Sequence, residues 1–150
     1  MREIREIDNS IVYYFEQQFG TIWGSNLEVM DSYPDDLKDL TPPVVAIDYT
    51  TIRPDPLELG TEETDDFYYW NVHIFGRKKG ERDDITNVVI DLLESGCSIL
   101  DFSDGTAGSA KGYVNFRDIS AKPVFSTNSA PVGVRYHAVV VTKANVTITG

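Results

Sequence analysis

The sequence predicts an α+β fold, a mixed, largely antiparallel β-sheet packed with two α-helices in a single domain. Three observations carry this. Residues 3–19 and 81–95 place apolar side chains at spacings of three and four, the period of an amphipathic helix. The remaining apolar residues gather in β-branched and aromatic runs bounded by Gly and Pro. The order is helix, strand, long loop, strand, helix and then a run of strands, with no internal repeat. At 150 residues the chain has the length of one domain.

In residues 3–19 the stripe is Ile4, Ile7, Ile11, Tyr14, Phe15 and Phe19, and Gly20 is the expected stop. Residues 21–43 are mixed, with Tyr33-Pro34-Asp35-Asp36 opening a turn and Pro42-Pro43 closing the segment. Val44 to Arg53 reads as a strand that Pro54 and Pro56 end. A long acidic loop, 54–66, follows; it carries Leu57 and Leu59, which points to a partner surface. Phe67 to Phe75 is apolar or aromatic on both faces, so it is expected at the sheet's centre with material packed on each side. Gly76 to Gly80 is a basic turn, and helix 81–95 buries Ile85, Val88, Val89, Leu92 and Leu93.

Residues 97–102 are a short strand, parallel to 67–75 if helix 81–95 is a right-handed crossover between neighbours. Gly105, Gly108 and Gly112 mark a flexible loop, 113–119 is a strand and 120–131 a connection. The β-rich tail, 132–149, is either part of the sheet or an arm exchanged between subunits.

Composition narrows the function. With 13 basic and 24 acidic residues the chain is at −11, which disfavours DNA, RNA or anionic membranes as primary ligands. No apolar run of about 18 residues spans a bilayer. The charged N-terminus lacks a signal core, so synthesis in the cytoplasm is expected. Cys97 is the one cysteine and has no intrachain partner.

No motif demands chemistry. Gly105 to Gly112 has Lys111 before its last glycine and no Ser or Thr following, so it fails as a phosphate loop. His73 and His137 are far apart and leave Cys97 without a ligand set, so zinc is not expected. Cys97 reads as a small core residue. No catalytic, cofactor-binding or metal residues are assigned. The concentrated positive charge, Arg77, Lys78, Lys79 and Arg82, is a candidate docking patch for an acidic neighbour, such as the 58–66 loop of another copy.

The order of these segments resembles a known family. The helix IREIDNSIVYYFEQQF, the strand VVAIDYTTIR, the acidic loop, the aromatic strand with its basic turn (FYYWNVHIFGRKKG) and the helix DDITNVVIDLLESG resemble the tail terminator proteins of long-tailed bacteriophages. These are also called tail completion or tail-to-head joining proteins. The resemblance covers residues 3–102, and the tail more loosely. It implies a structural virion protein made in the host cytoplasm. Such a protein forms a homo-hexameric ring that caps the tail tube, stops its polymerisation and joins it to the neck protein. DNA passes through the lumen without being bound specifically, and a negative wall suits that passage. The interface candidates are Leu57, Glu58, Leu59, Glu62, Glu63, Arg77, Lys78, Lys79, Arg82, Gly105, Gly108 and Lys111. Two rivals stay open. One is another head–tail connector or neck protein; the other is a cytosolic ligand-binding domain with a pocket lined by Tyr69, His73 and Tyr136.

Overall fold

A computed structural model describes residues 4–24, 26–56, 64–124 and 134–148. The apolar stripe of the first segment becomes helix α1, Ile4–Ile22, which buries Ile7, Ile11, Val12, Phe15 and Phe19. Gly20 does not stop it. An interior glycine costs a helix only about 1 kcal/mol, and Trp23, packed on the core, draws the chain onward. The helix closes where Trp23 and Gly24 both donate to the Phe19 carbonyl, with Gly24 at φ +88°.

Strand β1, Glu28–Met30, and a 3₁₀ turn at Leu37–Asp39 follow. Strand β2 runs Val44–Pro56, through both prolines expected to end it. β1 pairs only with Val44 to Ala46, so the rest of β2 is a sheet margin, where proline is tolerated. β2 pairs with β3, Thr64–Gly76, as far as Pro56 opposite Thr64. The expected loop 54–66 therefore shrinks to 57–63, which lies outside the described residues.

Helix α2, Lys79–Ser95, takes Lys79 and Gly80 out of the expected turn and ends at Gly96. β4, Cys97–Leu100, β5, Ala110–Val124, and β6, Tyr136–Ile148, complete the sheet. β5 extends well into the segment expected to be a connection.

The strand order is β1-β2-β3-β6-β5-β4. Only β1 and β2 are parallel; the other neighbours are antiparallel. The architecture is thus a single-domain α+β fold, with two α-helices among the described residues and a mixed, mostly antiparallel sheet. Three expectations change. β3 and β4 are not parallel neighbours, because β6 and β5 lie between them, and α2 spans that distance. The β-rich tail is not an exchanged arm: β6 sits inside its own chain's sheet. And 67–75 is central, but its two faces are covered unequally.

Period-2 alternation sends Tyr68, Trp70, Val72 and Ile74 to the helices, where all are buried with α1 and α2. Tyr14 ties the helices together by donating to the Leu92 carbonyl at 3.1 Å. The opposite face is covered near Gly76, where Val44, Phe75 and Val134 pack with Met30, Leu37 and Leu40.

Candidate subunit and partner interface

The interface candidates fall at two ends of the sheet. Val44 opposite Phe75 and Gly76 opposite Tyr136 mark one end. Pro56 opposite Thr64 and Gly112 opposite Ile148 mark the other. The basic group Arg77, Lys78, Lys79 and Arg82 lies at the first end. Gly105, Gly108 and Lys111 lie at the second, as do the strand ends that flank Leu57, Glu58, Leu59, Glu62 and Glu63. Those five residues are outside the described set.

The basic group is half spent inside the chain. Glu81, buried at 7% exposure, accepts from the Arg77 backbone N–H at 2.9 Å and from Arg77 Nη2 at 2.6 Å. Its carboxyl is held below the usual range, first by the Arg77 side-chain hydrogen bond. The contact ties the chain just before α2 back onto the helix's first turn. Arg82 pairs with its neighbour Asp83 at 2.9 Å. Lys78 and Lys79 are exposed and make no ion pair among the described residues. Of the four cations, Lys78 and Lys79 are the two outside any ion pair among the described residues.

The glycine-bearing turn is internally tied. Gly108 donates to the Asp101 carbonyl at 2.7 Å, and Gly105, at φ +83°, donates to Phe102 at 2.9 Å. Asp101 and Asp104 accept from the backbone N–H groups of Ser103 and Thr106. Glu6 of α1 clamps the whole turn: it accepts from Lys111 Nζ at 2.6 Å and from the Phe102 N–H at 3.1 Å. The Lys111 contact is the main reason its carboxyl is lowered.

Register brings together what sequence distance hid. Phe75 stands opposite His137, and His73 Nδ1 lies 3.0 Å from His137 Nε2. His137 stacks on Phe75 at 4.3 Å, and Tyr33 meets His73 edge-on at 4.7 Å. Burial pushes both histidines below their ordinary value, His137 to about 4. Only the knowledge that β6 pairs with β3 would have revealed this contact, and strand order is not a local property.

Cys97 faces the helices, across the sheet from both histidines, and burial pushes its thiol up to about 12. It supplies no thiolate near neutrality. Among the described residues no group of three or more His, Cys, Asp or Glu is placed to hold a metal ion. No helix among the described residues is long and apolar enough to cross a membrane. Comparison with protein-family models found none that matches the chain, and no curated protein matches it either.

Proposed function

We propose that the chain is a structural virion subunit, a non-enzymatic tail terminator that forms a homo-hexameric ring, caps the tail tube and joins it to the neck. Besides the resemblance, one observation supports this reading: the sheet has two ends of different chemistry. One presents the exposed Lys78 and Lys79. The other carries the strand ends of the acidic 57–63 segment and the clamped 101–111 turn. A joining protein has two different neighbours along one axis and needs two different docking surfaces.

The same placement revises the self-docking role expected of the basic group. Basic residues at one end of the strands and an acidic segment joining their other end would stack copies along the strands, and a head-to-tail contact in that direction without a closing rotation propagates. A protein that stops a tube must not do that. Lys78 and Lys79 are therefore assigned to the tube or the neck, not to another copy. DNA passes through without specific contacts.

Adding the chain to polymerising tail-tube protein tests the proposal. Tubes that shorten with dose and carry extra density at one end, by electron microscopy, are the expected result. Unchanged length together with binding to the portal side would favour the connector or neck reading. Unchanged length with no binding would contradict both.

A further inference from the structure

Charge is unevenly placed in this chain. Residues 105–150 hold five of the 13 basic side chains and one of the 24 acidic ones. They build β5 and β6. Arg117 stands opposite Lys143, which stands opposite Tyr69, and Lys122 stands opposite Val139, which stands opposite His73. All three cations therefore belong to the sheet face turned away from the helices. Arg117 and Lys122 are exposed. Asp118, at the bulge with φ 53°, is the one carboxylate of the segment. β4 reaches only Val114, so from Asn115 onward the outer side of β5 has no strand partner among the described residues. The basic surface lies on a margin of the sheet.

The opposite margin is β1 and the segment after it. Residues 28–39 hold five carboxylates against Lys38. A recess of about 250 Å³ there is lined by Glu28, Asp35, Asp36 and Asp39 together with Met30 and Leu40. Carboxylates beside apolar side chains suit a long cationic side chain, whose stem packs while its head pairs.

Complementary surfaces on opposite margins of one sheet do not meet within a chain. Between copies they meet head to tail, and a heterologous contact of that kind closes into a ring when the rotation permits. We infer that the basic β5–β6 margin is occupied by a second copy of this chain, presenting its acidic β1 and 28–39 margin. The inference rests on the ring reading and specifies how neighbours in the ring meet. It leaves both ends of the sheet free for tube and neck.

Charge-swap complementation tests it. Arg117→Glu with Lys122→Glu makes both margins acidic. Glu28→Lys with Asp35→Lys and Asp39→Lys makes both basic; Asp36 is left alone because its carboxylate caps the 3₁₀ turn. All five substituted side chains are exposed, and circular dichroism of each variant checks that it folds. Ring mass is read by sedimentation, with tube protein present if the chain requires it. The wild type is expected to associate more weakly as salt rises. Each variant alone loses association at least tenfold, and an equimolar mixture restores it, since six places can alternate. Variants that assemble as well as wild type, or a mixture that fails to rescue, overturn the margin contact and leave the ring reading standing. A wild type that stays monomeric even with tube protein overturns both.

Discussion

His73 and His137 lie 64 residues apart in sequence, and Nδ1 of one approaches Nε2 of the other to 3.0 Å. A single proton bridges them only while at least one ring is neutral. Their shared environment, between Phe75 and Tyr33, disfavours charge.

This pair makes stability depend on pH in a defined window. Both histidines are lowered in the fold, mainly by burial, and for His137 also by His73. Below about pH 6.5 the unfolded chain takes up protons that the folded chain refuses. The contribution of the pair is therefore complete above about 6.5 and declines as pH falls toward about 4. The urea midpoint of the wild type should drop across pH 6.5 to 5, by about 1–2 kcal/mol in stability. His137→Phe should flatten that slope, and an unchanged slope would assign the dependence elsewhere.

Asp8 has the opposite sign. Its Oδ1 accepts from Trp70 Nε1 at 3.2 Å, and its carboxyl is raised, first by burial and further by Asp31 and Asp48. A raised carboxyl weakens the fold once it ionises, as pH climbs past its unfolded value near 4. Asp8→Asn keeps an acceptor for Trp70 and removes the charge. It should stabilise by up to about 1 kcal/mol at pH 7 and by nothing near pH 4. Thermal unfolding at the two pH values checks this.

Two glycines should respond to alanine in opposite directions. Gly20 lies exposed within α1, and a Cβ there meets nothing within 4 Å. Gly20→Ala should stabilise by about 0.5–1 kcal/mol. Gly96 adopts φ 71°, ψ 177°, and a Cβ there would lie 2.7 Å from the Val114 carbonyl. Gly96→Ala should cost about 2–3 kcal/mol. Paired denaturation curves decide both.

Glu81 and Lys78 separate folding from docking. Glu81→Ala leaves the Arg77 backbone N–H without its acceptor, removes the Arg77 ion pair, and should cost about 1–2 kcal/mol. Lys78→Glu with Lys79→Glu should leave the unfolding midpoint within about 0.5 kcal/mol while abolishing one of the two end contacts. Binding to tube and neck proteins, measured beside stability, checks the separation.

The two helices and the aromatic strand were legible because periodicity is local. Ile11, Phe15, Trp70 and Val89 all report their buried face through their spacing. Strand order was not legible. β6 enters the sheet between β3 and β5, and that placement depends on which edges complete a common core, not on any residue of 136–148 alone. The strand prolines misled because Pro54 and Pro56 end a central strand but not a marginal one. At the candidate interface the basic residues were visible, whereas the Glu81 carboxylate that occupies Arg77 was not, since that contact depends on where the helix begins.

The solution mass of the chain, by light scattering after size exclusion at two salt concentrations, tests the ring most directly. The expected result is a six-fold mass, or a monomer that closes into rings when tail-tube protein is added. A chain that remains monomeric at every concentration and ignores tube protein would contradict the ring.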